Sequence, residues 1–166
     1  MSVPDAVLGR REVATAEAME ELGRAIGAGL AAGDLLILTG PLGAGKTTFT
    51  RGLAEGLGVR GPVQSPTFVI ARTHPSLVGS APLVHVDAYR LGSAAELDDL
   101  DVDVAGSVVV VEWGRGMAEE LADEWWDIEL ERPVGAGSSD AGELADEDLD
   151  ADAPRIVTIA RARRAG

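Results

Sequence analysis

The chain has 166 residues, 46% of them hydrophobic and 25% charged, a globular composition at a length that suits one domain and is short for two. Its 14 basic and 28 acidic residues leave a net charge of −14, and a surface of that sign repels phosphate backbones, which argues against extensive direct binding of nucleic acid. Cysteine is absent, so disulfides, thiolate zinc sites and cysteine nucleophiles are excluded together.

Apolar runs such as Leu35–Leu38 and Val108–Val111 are far too short to cross a membrane. Met1–Arg11 lacks the basic start and apolar core of a secretory signal. The expectation is a cytoplasmic protein with no membrane association. Asparagine is also absent, and Lys46 is the only lysine; every other basic residue is arginine. A chain that uses arginine elsewhere and keeps one lysine in a glycine-rich turn invites a chemical reason for that lysine.

Taken in chain order, Thr15 to Leu30 reads as an amphipathic helix. Ala18, Leu22, Ala25, Ile26 and Leu30 recur at helical spacing, with Thr15 as N-cap. Gly33-Asp34 turns into Leu35–Leu38, an unbroken apolar run of the kind that forms a buried strand. Gly40–Gly45 is a loop, and Lys46 to Leu57 reads as a helix stopped by Gly58. Val63 to Thr73 is a loop passing into a strand at Phe68–Ile70. Leu83–Val86 and Val108–Val111 are further buried strands, with a short acidic helix, Ala94–Leu100, between them. Met117–Glu124 reads as a helix and Trp126–Glu131 alternates like an edge strand.

Residues 134–154 carry no Arg or Lys and are rich in Gly, Ser, Asp and Glu, the composition of a flexible acidic loop. A strand at Ile156–Ala160 follows, and residues 161–166 are expected to be a frayed tail. Residues 1–166 thus form one domain. Strands alternating with helices indicate an α/β fold with a mainly parallel sheet. Trp126–Glu131 and Ile156–Ala160, with no helix between them, are expected to form an antiparallel hairpin at one edge.

Gly40-Pro41-Leu42-Gly43-Ala44-Gly45-Lys46-Thr47 fits the phosphate-binding P-loop pattern G-x-x-x-x-G-K-[ST], with a strand before it and a helix after it. Glycines let backbone N–H groups converge on phosphate oxygens. The helix start adds unpaired N–H groups and the positive end of its dipole. Lys46 supplies a compact charge for the β and γ oxygens, and the Thr47 hydroxyl can ligate Mg²⁺. The N-K-x-D motif of Ras-like GTPases cannot exist in a chain with no asparagine and one lysine, so that class is excluded.

Such a loop needs a carboxylate opposite it, and ligands of parallel sheets sit beyond the carboxyl ends of strands. Asp87 follows Leu83–Val86 and Glu112 follows Val108–Val111. The residues alone leave open which acid holds metal and which orients water. Ser65-Pro66-Thr67 is either a γ-phosphate-sensing loop or an ordinary hydroxyl turn. Trp113 either stacks near the nucleotide or packs in the core, and Arg90 either senses phosphate or pairs with nearby acids. His85 reads as structural, and His74 carries no signal.

Gly40–Phe49, Ser65-Pro66-Thr67-Phe68, His85-Val86-Asp87-Ala88-Tyr89-Arg90-Leu91 and Val111-Glu112-Trp113, in this order and spacing, resemble the TsaE (YjeE) family. These are small bacterial P-loop ATPases of the tRNA threonylcarbamoyladenosine (t6A) pathway, and the likeness runs from about Thr15 to Glu131. It implies the P-loop NTPase fold and Mg²⁺-dependent ATP hydrolysis in complex with the TsaB and TsaD proteins, with tRNA engaged only through that complex.

The resemblance further implies that Lys46 binds phosphate, that Thr47 and Glu112 hold Mg²⁺, and that Asp87 positions or activates water, with Thr67 in a switch-like loop. Leu42, Gly43, Ala44, Gly45, Thr48 and Trp113 would then line the nucleotide site, with Thr15 and Ala16 bordering the adenine. Pro41, Val86 and Gly114 depart from the Asp, Phe and Pro common in the family, and none of the three is a phosphate or metal ligand. With no evident arginine finger, turnover by the isolated protein is expected to be slow. The rivals are a small-molecule kinase, which would need an arginine-bearing lid, and a nucleotide-binding module without turnover, against which Asp87 and Glu112 argue.

Overall fold

The computed structural model describes residues 7–41, 45–59, 61, 71–89, 91, 93–132 and 154–163. The elements in order are β1 (Gly9–Val13), α1 (Ala16–Gly27), β2 (Leu35–Thr39), α2 (Lys46–Leu57), β3 (Ala71–His74), β4 (Leu83–Asp87), α3 (Ala94–Asp98), β5 (Val108–Glu112), a 3₁₀ turn (Ala118–Leu121), β6 (Glu124–Glu131) and β7 (Arg155–Arg163). They form one seven-stranded sheet of order β1-β7-β6-β2-β5-β4-β3. The inner strands β6, β2, β5 and β4 run parallel to one another, whereas β7, β1 and β3 are added antiparallel. The expected α/β class with a mainly parallel centre is the one observed.

Alternation along the strands divides the core in two. Leu36, Leu38, Leu83, Val108, Val110 and Ile128 face α1 and α2, against Met19, Ile26, Phe49 and Leu53. Leu35, Ile37, Val84, Val86, Val109 and Val111 face the other way, under Leu97 of α3 and Ala118 of the 3₁₀ turn. The valine run of β5 is buried on both sides, as a central parallel strand requires.

Five expectations are corrected. Trp126–Glu131 and Ile156–Ala160 do pair antiparallel, from Glu124↔Arg163 to Glu131↔Ile156, but not at an edge. β1 lies outside β7 with Gly9↔Ile159 and Val13↔Arg155 as partners. Its sequence, Gly-Arg-Arg-Glu-Val, is mostly exposed, so it has no apolar alternation to betray it and is a strand because β7 offers it a ladder. The tail is not frayed from residue 161, because β7 continues through Arg161 and Arg163. The Arg161 guanidinium lies 4.5 Å from the centre of the Trp126 ring and Arg163 donates to Glu124 at 2.7 Å.

The helix expected at 117–124 shrinks to one 3₁₀ turn, because Glu124 and the aromatic pair Trp125-Trp126 are taken into β6. The first helix ends at Gly27 rather than Leu30, and the acidic helix at Asp98 rather than Leu100. Thr15 does cap α1, its hydroxyl accepting from the Ala18 N–H at 3.0 Å, and α2 spans Lys46–Leu57 as expected. The strand expected at Phe68–Ile70 and the acidic segment at 134–154 lie outside the described residues, apart from Pro154.

α1 and α2 meet backbone to backbone. A Cβ on Gly23 or Gly27 of α1 would overlap the carbonyls of Phe49 and Leu53, and one on Gly52 or Gly56 of α2 would overlap those of Glu20 and Arg24. Four glycines at matched four-residue spacing thus let the helices approach closer than side chains would allow. Gly52→Ala is expected to lower stability by about 1–3 kcal/mol through this overlap. Alanine's helix preference alone would raise stability by about 1 kcal/mol, so an unchanged or higher urea midpoint would contradict the close contact.

Candidate functional site

The site lies at the carboxyl ends of β2, β4 and β5, where ligands of parallel sheets bind. Leu36 and Leu38 of β2 face α2, and the chain leaves β2 at Thr39 and enters α2 at Lys46. Gly45 begins that helix with φ +101°, a left-handed conformation that glycine adopts without strain. Met19 of α1 packs against it, its methyl 3.2 Å from where a Gly45 Cβ would sit. The first turn of α1, with exposed Thr15 and Ala16 one turn before Met19, is thereby brought beside the loop.

Lys46 is buried. Its Nζ donates to the Gly40 carbonyl at 2.6 Å, lies 4.0 Å from Glu112 Oε1 and sits 3.8 Å from the centre of the Trp113 ring. Thr47 and Thr48 follow on the first turn of α2, both half-buried. Asp87 and Glu112 are Cα partners at the ends of β4 and β5, and by alternation both face α2.

The two acids differ in surroundings. Asp87 is half-buried and its Oδ1 accepts the Tyr89 N–H at 2.9 Å, so one oxygen caps the turn after β4 and the other lies outside that bond. Glu112 is buried and faces Lys46 with one oxygen and His85 with the other, Oε2 lying 2.5 Å from His85 Nε2.

Trp113 has φ +62°, an uncommon conformation for a bulky residue. Its N–H donates to the Leu38 carbonyl at 3.1 Å, which ties the end of β5 to the end of β2. Its ring is met edge-on by Tyr89 at 5.3 Å, so its place is over Lys46 and not in the core.

Leu42, Gly43, Ala44, Thr67 and Arg90 lie outside the described residues. Lys46, Thr47, Asp87, Glu112 and Trp113 converge, and Thr15 and Ala16 approach through α1. His85, read as structural, belongs to the site. The signal for it was its place two residues before Asp87, which puts both side chains on one face of β4.

Burial pushes the Lys46 ammonium below its usual pKa of 10.5, and Glu112 and then Asp87 pull it back up. Because the folded value lies below the unfolded one, Lys46 opposes folding while both states are protonated. That penalty is relieved as pH rises from the folded value towards 10.5. Protein labelled with ε-¹³C-lysine should give one side-chain resonance, since Lys46 is the only lysine, titrating below the ordinary lysine range. Glu112→Gln should lower that midpoint further; a midpoint that rises or stays put would remove Glu112 from the electrostatics of Lys46.

Residues 13–137 match the family described as Threonylcarbamoyl adenosine biosynthesis protein TsaE. The chain is 62% identical over 120 residues to the tRNA threonylcarbamoyladenosine biosynthesis protein TsaE of Streptomyces coelicolor, covering 70% of this chain and 81% of that one. It is 52% identical over 120 residues to the Mycobacterium tuberculosis protein of the same name, covering 67% and 71%. A crystal structure of Bacillus subtilis YdiB superposes with a TM-score of 0.66 at 30% identity, covering 93% of this chain and 85% of that one. Among the described residues no helix is long and apolar enough to cross a membrane. With its P-loop fold and with strand-end carboxylates facing Lys46, the chain belongs to the TsaE family of threonylcarbamoyl adenosine biosynthesis proteins.

Proposed function

We propose that this chain is a Mg²⁺-dependent ATPase that works as an accessory of the t6A machinery, in complex with TsaB and TsaD, in the cytoplasm. The observation that carries the reading is the buried Lys46 ammonium at the mouth of the sheet, held between the Gly40 carbonyl and Glu112. A lone, desolvated lysine that begins a helix, beside left-handed Gly45, is placed to receive phosphate oxygens. On nucleotide binding, Lys46 exchanges the Gly40 carbonyl and the Trp113 ring for the β and γ oxygens, while the N–H groups of Leu42 to Thr48 cradle the phosphates. Thr15 and Ala16, on the neighbouring turn of α1, border the base.

The donor set suits magnesium. The described residues contain no cluster of three or more His, Cys, Asp or Glu able to hold a metal alone, whereas Mg²⁺ is usually bound by one or two carboxylates together with substrate phosphates. The Thr47 hydroxyl and Glu112 Oε1 are the hard oxygen donors that would hold it. When bound there, Mg²⁺ would neutralise negative charge that develops on the phosphate during transfer. Asp87, half-buried and with one oxygen outside its turn bond, is the group that orients water, and Thr67 lies in the loop that senses the γ-phosphate. The net charge of −14 fits a protein that serves tRNA modification through partners and does not grip tRNA itself.

Calorimetry with ATP and saturating Mg²⁺ tests the site. Lys46→Ala should weaken binding by at least about tenfold, the value of one charge-assisted hydrogen bond. In reconstitution with TsaB, TsaD and tRNA, t6A formation beyond the first round should require this protein, and Glu112→Ala should not support it. No adenine-nucleotide uptake by folded protein, or hydrolysis undiminished by Lys46→Ala, would overturn the reading.

A further inference from the structure

His85 occupies the middle of β4, fully buried, between Val84 and Val86, which face the opposite side of the sheet. Its neighbours in register are Val110 of β5 and Arg72 of β3, and Leu83 and Asp87 flank it on the same face of β4; towards Leu83 and Val110 an aliphatic side chain would fill the space at no polar cost. Among the described residues the imidazole makes one hydrogen bond, Nε2 to Glu112 Oε2 at 2.5 Å, and its buried Nδ1 has no hydrogen-bond partner. A buried polar atom left unpaired is destabilising, so packing alone does not account for this residue.

The contact has one polarity. A carboxylate oxygen only accepts, so Nε2 carries the proton and donates. Oε2 of Glu112 is thereby committed to the interior of the sheet, and Oε1 is the oxygen turned towards Lys46. The remaining freedom of the carboxylate, rotation of its plane, is removed by a donor anchored in a central strand pair.

We propose that His85 is a positioning residue that fixes Glu112 as a one-oxygen donor, presenting Oε1 alone to the cation that accompanies the nucleotide. This rests on the reading of Glu112 as a magnesium ligand given above. Partners that orient a ligating carboxylate raise metal affinity without touching the metal, so the residue should act on the metal-dependent part of nucleotide binding and on nothing else in it.

The test measures affinity for a non-hydrolysable ATP analogue by calorimetry, in chelator and across a Mg²⁺ titration. Circular dichroism and a urea melt show that His85→Leu and His85→Gln fold, and affinity in chelator sets the metal-free baseline of each protein. In the titration His85→Leu should raise the half-saturating Mg²⁺ concentration by about 10–100-fold. His85→Gln, whose amide can still donate to Oε2, should recover most of the loss. Should the leucine variant not fold, His85→Ala is read in its place.

Glu112→Gln is measured alongside. If it abolishes the Mg²⁺ effect and His85→Leu does not change it, the positioning role is wrong while the ligand assignment stands. If Glu112→Gln leaves the Mg²⁺ effect intact, the ligand assignment is wrong and the role of His85 falls with it. Equal losses in the glutamine and leucine variants would mean that shape and not donation matters, which also overturns the proposal.

Discussion

A single ammonium group taken out of water sets the terms for everything around it. Removing a charge of this kind from solvent costs several kcal/mol even after the protein relaxes, and Lys46 recovers part of that from three directions: a carbonyl, a carboxylate and the face of an indole. Gly40 follows β2 while Glu112 and Trp113 are adjacent at the end of β5, and the carboxylate and the indole cannot be reached unless β2 and β5 run side by side in the same direction. The parallel pairing of Leu38 with Glu112 is thus an electrostatic requirement as well as a packing one.

The surroundings hold that geometry with little slack. α2 cannot tilt without moving α1, because the helices touch through backbone at four glycines. β5 cannot slide by one residue: its valines would be interchangeable between the two buried faces, but Glu112 would then point away from Lys46. Trp113 accepts an uncommon backbone conformation, and its N–H bond to Leu38 and its place over Lys46 are what maintain it. The site is positioned by strands and a helix start, the most rigid parts of the fold.

Much of this was legible in the sequence where one signal acted alone. The valine run read as a central strand, Lys46–Leu57 as a helix and the two acids as strand ends, because burial pattern and capping chemistry agreed. What was illegible depended on a partner distant in sequence. β1 has no pattern of its own and exists because β7 accepts it; the same strand turns Arg161 and Arg163 from tail into ladder. Glu124 had helical company in sequence but a strand partner in space. The close approach of α1 and α2 is visible as Gly23/Gly27 and Gly52/Gly56 only once the helices are known to face each other. His85 was underrated because an isolated histidine in an apolar strand is usually filler, and only the strand register brings it to Glu112.

The arrangement also bears on why an acidic protein would hold an acidic ligand. At physiological ionic strength charges more than about 8 Å apart are largely screened when exposed, so most of the carboxylates behind the net charge of −14 matter little to a phosphate in the loop. Asp87 and Glu112 are the exceptions, since both face the loop helix and Glu112 is buried. Lys46 brings one positive charge against those two negative ones, and a triphosphate adds several more negative charges. On the proposed reading the local sum is unfavourable until a divalent cation enters with the nucleotide. The same carboxylates that weaken binding of the bare nucleotide therefore become favourable contacts for the metal complex, and the site discriminates between the two by charge before any contact with the base is made.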